Sequence, residues 1–381
     1  YALDVTAPGG ETETVYIDAE NGLLQRVAFD DDDGRTTIDF MDYRDLDGHR
    51  LPFRTVQSDG DSAFDEVETT RSVNIHLPFP DAVFAPFVSR SIDIPGVETI
   101  ALSESEGHYF VPVRIGGGMY RFLLDSGAQN VLLDSAVAAR IGLAPVGSLE
   151  ASGASRTGRL KVAKLAELSV GDGKLRNLVV TTLDLGASTG GAFRIDGILG
   201  FPFFAAAAVQ IDFARKTMTF GPPGSIAPRG TKLDVDTDRG IPEALVTLDG
   251  TMNARAIVDT GNAGTLLLYK PFVDSNPSVV PSTLTSRRSF GIGGSVDSYR
   301  SSLDEIRFGD ISLYHAETDV MLATRGAFAD RVDAGNVGLG LLRKFVVTFD
   351  LSRGELSLER GANYDDGRFA QASATAPEKI P

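Results

Sequence analysis

Phe122-Leu123-Leu124-Asp125-Ser126-Gly127 and Ala256-Ile257-Val258-Asp259-Thr260-Gly261 decide how this chain is read. Each is an apolar run that ends in Asp, a hydroxyl residue and Gly, and the two aspartates lie 134 residues apart (259 − 125). No other Asp-Ser/Thr-Gly occurs in the 381 residues. A buried strand that ends in an unpaired carboxylate is unfavourable, because desolvating the charge costs more than the strand gains locally. Two such strands predict that the carboxylates meet and share a proton. That lowers the cost and supplies an acid and a base together.

Working outward, both strings sit in a repeat that runs from about residue 89 to 362. In the first copy, Val111–Ile115 leads through Gly116-Gly117-Gly118 into Arg121–Leu124 and Asp-Ser-Gly. In the second, Ala244–Leu248 leads through Asp249-Gly250 into Arg255–Val258 and Asp-Thr-Gly, with a turn that differs by one residue. The copies also close alike. Ile211-Asp212-Phe213, Arg215 and Met218-Thr219-Phe220 match Phe349-Asp350-Leu351, Arg353 and Leu356-Ser357-Leu358, a common offset of 138 (350 − 212). Between opening and closing hairpins each copy adds a glycine-bounded element, Asp196-Gly197-Ile198-Leu199-Gly200 and Asn336-Val337-Gly338-Leu339-Gly340.

An apolar hairpin, Asp-Ser/Thr-Gly, a glycine-rich hairpin and then a hydrophobic-hydrophobic-Gly turn resemble one lobe of an aspartic peptidase. Two copies in one chain resemble the bilobal pepsin-like arrangement. The compact copies, a helix expected over Asp134–Ile141 (capped by Asp134, stopped by Gly142) and the absence of cysteine look closer to bacterial retropepsin-like aspartyl peptidases. The resemblance covers about residues 105–360. It implies a mainly β fold of two duplicated acid-protease-type barrel lobes, 89–228 and 229–362, with Asp125 and Asp259 facing each other between them. At ~4 Å and an effective dielectric of about 20, two ionised carboxylates repel by ~4 kcal/mol. That is roughly three pKa units, enough to keep one proton on the pair over a wide acidic range. Aspartic peptidases are themselves the known instance of this splitting, and the titration belongs to the pair.

By the same resemblance, Ser126 and Thr260 bond across to the opposite loop, and Gly127 and Gly261 permit its close approach. The candidate substrate-covering hairpins, or flaps, are Ser152–Arg156, with Gly153, Ala154 and Ser155 at its tip, and Phe290–Gly294, with Gly291, Ile292 and Gly293. The implied reaction is hydrolysis of extended polypeptide by an activated water, with no cofactor and no metal. The implied setting is a monomer in the bacterial periplasm or cell envelope. Two residues depart from the family pattern. Asn262 stands where Ser, Thr or Ala is usual, and Gly338 replaces the first hydrophobic residue of the second hydrophobic-hydrophobic-Gly turn.

Bulk properties fit this reading. A chain of 381 residues exceeds one ordinary core. The formal charge of −16 argues against a nucleic-acid groove and against anionic membrane surfaces. Zero cysteines exclude disulfides, thiolate metal sites and cysteine nucleophiles. The first residue is Tyr rather than Met, which raises the expectation of a removed leader.

Residues 1–88 read as an antiparallel β-meander, with strands expected at Thr12–Ile17, Leu23–Phe29, Arg35–Tyr43, Leu51–Gln57 and Glu66–Ile75. Between them lie Asn21-Gly22, Asp33-Gly34, Asp47-Gly48 and Asp59-Gly60. The segment resembles β-rich pieces found ahead of some bacterial aspartyl peptidases, and in outline part of a lipoprotein-carrier half-barrel. Residues 363–381 read as a disordered tail.

Competing motifs are weaker. Asp30–Asp33 before Gly34 mimics a calcium loop, but the register puts Phe29 at the first ligand position and Phe40 at the last, so a solvated hairpin turn is the better reading. Gly186-Ala187-Ser188-Thr189-Gly190 matches the serine-hydrolase elbow, with His315 the single histidine downstream, but no helix is expected after it. His49, His76 and His108 show no metal-ligand spacing. Two alternatives to the peptidase are therefore carried forward: a catalytically silent peptide-binding or scaffolding protein of the same fold, and a serine hydrolase using Ser188.

Overall fold

The computed structural model describes residues 1–6, 12–31, 34–62, 65–75, 91–152, 157–188, 194–279, 284–291, 294–365 and 369. The described residues are mainly β, with 57% strand and 10% helix, and the chain divides into two compact units, Tyr1–Phe87 and Val88–Pro381.

The first unit is a six-stranded antiparallel meander in which every strand pairs with its sequence neighbour: Ala2–Thr6, Thr12–Ile17, Leu24–Asp31, Gly34–Leu46, His49–Ser58 and Glu66–Thr69. The Asp47-Gly48 turn has φ of 51° and 84°, the left-handed pair that a two-residue hairpin requires. The strand Ala2–Thr6 was not expected from the sequence. All five of its residues are exposed, so no burial pattern marks it. The last strand ends at Thr69 rather than Ile75. One further bond continues its register beyond that end, from the Thr70 N–H to Phe53 O at 2.9 Å. The acidic stretch from Asp30 runs into a hairpin that pairs Asp31 with Gly34.

In the second unit the repeat is visible strand by strand. His108–Ile115 pairs antiparallel with Gly118–Leu124 through Gly116 and Gly117, both at positive φ (54° and 84°). Gly118–Leu124 pairs on its other side, in parallel, with Gly197–Leu199, which in turn pairs antiparallel with Leu132–Asp134. The second copy repeats this order: Glu243–Leu248, Met252–Val258, Gly335–Val337 in parallel, and Leu266–Leu268 antiparallel to it. Phe122, Leu123 and Leu124, like Ala256, Ile257 and Val258, are buried on both faces of the sheet, which is why these runs read as continuous apolar segments rather than as alternating ones. The expected helix forms over Ser135–Arg140. Its N-cap Asp134 accepts from the Ala136 N–H at 2.9 Å, and Gly142 follows at φ 69°.

The closing hairpins join the copies. Ala208–Asp212 pairs with Thr217–Gly221, Phe345–Asp350 with Glu355–Arg360, and the two hairpins pair antiparallel with each other. Gln210 lies opposite Thr348 in that register, with its Nε2 donating to Thr348 Oγ1 at 3.0 Å. Their separation is the 138-residue repeat offset itself (348 − 210), so the approximate twofold axis relating the copies passes through this pair. One buried apolar cluster runs through both copies; Phe204 of the first meets Phe349 of the second edge-on at 5.1 Å.

Of the expected disordered tail, 366–368 and 370–381 lie outside the described residues. Tyr364, by contrast, packs on Phe345 at 5.6 Å, and the Phe369 ring sits 4.4 Å from Lys344 Nζ.

Candidate active site

Each Asp-Ser/Thr-Gly begins where its strand leaves the parallel pair. The Asp125 N–H still donates to Leu199 O at 3.1 Å and that of Asp259 to Val337 O at 2.9 Å. The chain then turns beneath the next glycine-bounded element, where the Phe201 N–H donates to Ala128 O and the Leu339 N–H to Asn262 O. A Cβ on Gly200 would lie 2.4 Å from Ala128 O, and one on Gly338 would lie 2.4 Å from Gly264 O. Short helices start after both glycines, Phe201–Phe204 and Leu339–Leu342.

These equivalences correct one sequence expectation. Ile198-Leu199-Gly200 corresponds to Asn336-Val337-Gly338, two residues earlier than the expected alignment. Gly338 is therefore the counterpart of Gly200 and no departure. The departure is Asn336, which stands where the first copy has Ile198.

The two turns interlock. The Ser126 N–H donates to Thr260 Oγ1 at 2.9 Å, and Ser126 Oγ donates to Val258 O at 2.6 Å. Reciprocally, the Thr260 N–H donates to Ser126 Oγ at 3.0 Å, and Thr260 Oγ1 donates to Leu124 O at 2.9 Å. Ser126 and Thr260 are 0% and 1% exposed, so these four bonds are shielded from water.

Gly127 and Gly261 have no room for side chains, because the opposite aspartate fills the space. A Cβ on Gly127 would lie 2.6 Å from Asp259 Cγ, and one on Gly261 would lie 2.3 Å from Asp125 Cγ. The structure thus packs each aspartate against the glycine of the other copy's turn, with the two carboxyl groups as neighbours. Burial pushes the Asp125 carboxyl well above the usual carboxylate range; the Asp259 charge and the hydrogen bond between the two side chains add to this, against the backbone N–H groups of Gly127 and Ala128. Its Oδ1 is buried without a hydrogen-bond partner.

Asp259 is differently surrounded. Its Oδ1 accepts from the Gly261 N–H at 2.7 Å, and its Oδ2 accepts from Asn336 Nδ2. Asn336 Oδ1 accepts from Asn262 Nδ2 at 2.8 Å, and Asn262 Oδ1 accepts from the Gly264 N–H at 2.8 Å. Asn336 is a residue of this candidate site that sequence reading missed. The 138-residue offset of the closing hairpins, applied to Ile198, would have found it.

Two further side chains face this region. His108, which shows no metal-ligand spacing in the sequence, starts its strand beside Asp259 and the Gly261 backbone; burial lowers its pKa. Tyr269 is 1% exposed and reaches Asn336, and burial raises its phenol well above the usual range.

Nearby, Gln129 Nε2 donates to Arg239 O at 2.9 Å, tying the first turn to the second copy. The Arg239 guanidinium pairs with Glu243, Asp330 and Asp333 at 3.2, 2.5 and 2.7 Å. Burial, then the charges of Glu243 and Asp330, push the Asp333 carboxyl up to about 7, against Arg239 and Arg255. Among the described residues no group of three or more His, Asp or Glu is placed to hold a metal ion, and no helix is long and apolar enough to cross a membrane.

Of the candidate flaps, Gly153, Ala154, Ser155, Ile292 and Gly293 lie outside the described residues. The arms that carry them are hairpins, pairing Ser152 with Thr157 and Gly291 with Gly294. Ser188 ends a helical turn, Leu185–Ser188, rather than following a strand directly as an elbow requires; 189–193 lie outside the described residues.

Residues 111–203, which hold Asp125-Ser126-Gly127 and Ile198-Leu199-Gly200, match the family model described as Aspartyl protease. No curated protein matches the chain. The family match supports aspartic peptidase activity in general terms.

Proposed function

We propose that the chain is an aspartic endopeptidase, in which Asp125 and Asp259 form a catalytic dyad between two lobes and hydrolyse extended polypeptide laid across it. The observation that carries this reading is the reciprocal packing of each aspartate on the other copy's glycine, with Ser126 and Thr260 cross-bonded beneath. Such an arrangement holds two carboxyl groups close enough that they cannot both ionise readily.

In the reaction the ionised member takes a proton from water as its oxygen attacks the scissile carbonyl carbon. The protonated member hydrogen-bonds to the carbonyl oxygen and stabilises the charge that develops there. Collapse of the tetrahedral intermediate breaks the C–N bond, and the proton taken from water passes to the leaving amine. No bond forms between enzyme and substrate. Protein substrates, an envelope or periplasmic location, a monomeric state and flap roles for the two hairpins belong to the same proposal.

Of the motives for a silent peptide-binding reading, Gly338 matches Gly200, and Asn262 orients a donor toward Asp259 rather than leaving that carboxylate unsupported. The test is turnover of a denatured protein at acidic pH. The proposal expects cleavage that a statine-type transition-state mimic blocks and a chelator does not. Peptide binding without cleavage, or cleavage stopped by a fluorophosphonate that labels Ser188, would overturn it.

A further inference from the structure

The approximate twofold axis makes the two aspartates equivalent in the backbone but not in their surroundings. Beside Asp125 the positions after the glycine and in the parallel strand are Ala128 and Ile198, and Ile198 belongs to an apolar cluster with Phe110, Leu123, Leu185 and Ile195. Beside Asp259 the same two positions are Asn262 and Asn336. Asn336 is 4% exposed. An amide at so buried a position, where an isoleucine serves in the other copy, is costly unless every polar atom is engaged.

The amides form a chain with one possible direction. It starts at the Gly264 N–H, which can only donate, so the end of Asn262 that faces it is the carbonyl. Asn262 therefore presents its NH₂ to Asn336, which fixes the Asn336 carbonyl toward Asn262. Only the NH₂ of Asn336 is left to face Asp259 Oδ2. With the Gly261 N–H on Oδ1, both oxygens of Asp259 receive donors, and donors favour the charged carboxylate. Asp125 shares the backbone donors, from Gly127 and Ala128, but its flank is apolar, no side-chain amide reaches it, and its buried Oδ1 receives no donor.

We propose that Asn336, oriented by Asn262, is a positioning residue that holds Asp259 as the ionised, water-activating member of the pair and leaves the shared proton on Asp125. This rests on the peptidase reading above and adds what that reading leaves open, the assignment of base to Asp259 and acid to Asp125. Other titratable groups also face Asp259. Asp125 lies across the pair, His108 comes from the start of its strand, and Tyr269 follows Leu266–Leu268, with Arg343 beyond His108 and Asp330 and Asp333 beyond Tyr269. All of them are present in the wild type and in the variants below, so a difference between profiles reports the amide.

The experiment is the pH dependence of kcat/KM on a peptide substrate for the wild type, Asn336→Ile, Asn262→Ala and Ile198→Asn, with Asp259→Asn as the control. Asn336→Ile copies the first repeat into the second and removes the donor. Its acidic limb should move to higher pH by about one unit. Asn262→Ala frees the Asn336 amide to turn, and should move the same limb in the same direction by less. Ile198→Asn offers Asp125 the side-chain donor it lacks and should move the basic limb to lower pH.

A purely structural role for Asn336 would lower kcat/KM across the profile and leave its limbs in place. Limbs that coincide with the wild type's in Asn336→Ile and Asn262→Ala, while Asp259→Asn is inactive, overturn this assignment and leave the peptidase reading standing. Activity in Asp259→Asn overturns the peptidase reading itself. Should Asn336→Ile fail to fold, the direction of the Asn262→Ala limb decides.

Discussion

Gly261 shows most plainly how single residues shape this site. Its missing side chain is where the Asp125 carboxylate sits, and a methyl group there would stand 2.3 Å from Asp125 Cγ. Gly261→Ala must therefore push one carboxylate away from the other, and a displacement of about 1 Å at reacting groups costs on the order of 10²-fold in rate. Such a loss is the expected outcome, with the circular dichroism spectrum unchanged; wild-type kcat would show that the contact is not needed. The residues of this contact were legible in the sequence, because an apolar strand that ends in a charge is anomalous and its duplication gives the anomaly a purpose. Asn336 was not, since hydrophobic-hydrophobic-Gly was sought as a pattern of residue types. The amide occupies a position whose type had changed while its backbone place, 138 residues after Ile198, had not.

At the scale of elements, strands with a buried pattern and the capped helix Ser135–Arg140 could be read in advance, whereas the strand Ala2–Thr6, exposed along its whole length, could not. The ion cluster of Arg239, Glu243, Asp330 and Asp333 was equally hidden, because it draws on segments about 90 residues apart that only the sheet brings together. It makes a prediction of its own. The Asp333 pKa is raised to about 7 in the folded chain, so between the ordinary carboxylate value near 4 and about 7 the native state holds a proton that the unfolded chain has released. The Asp333 contribution to stability is thus fully present below about pH 4 and is lost as pH rises through about 7. Asp333→Asn removes that dependence. The difference in unfolding free energy between variant and wild type should change by on the order of 2 kcal/mol between about pH 5 and about pH 8, in the direction that favours the variant as pH rises. A constant difference across that range, measured by denaturant unfolding, would show that Asp333 does not titrate there.

For the whole molecule, the register of the closing hairpins matters most. Gln210 opposite Thr348 places the approximate twofold axis through the sheet that joins the copies, and each copy's aspartate then packs on the other copy's glycine. The duplication was legible from matched segments at a common offset, and the axis was not, because strand pairing between distant hairpins leaves no mark in local composition. On the proposed reading the two acids act as one unit, so losing either costs nearly as much as losing both. The most direct measurement is kcat/KM on a denatured protein substrate for Asp125→Asn and Asp259→Asn, each checked for an unchanged fold by circular dichroism. A fall of about 10³-fold or more in both variants is the predicted result; wild-type turnover in either folded variant would contradict a reaction that runs on the pair.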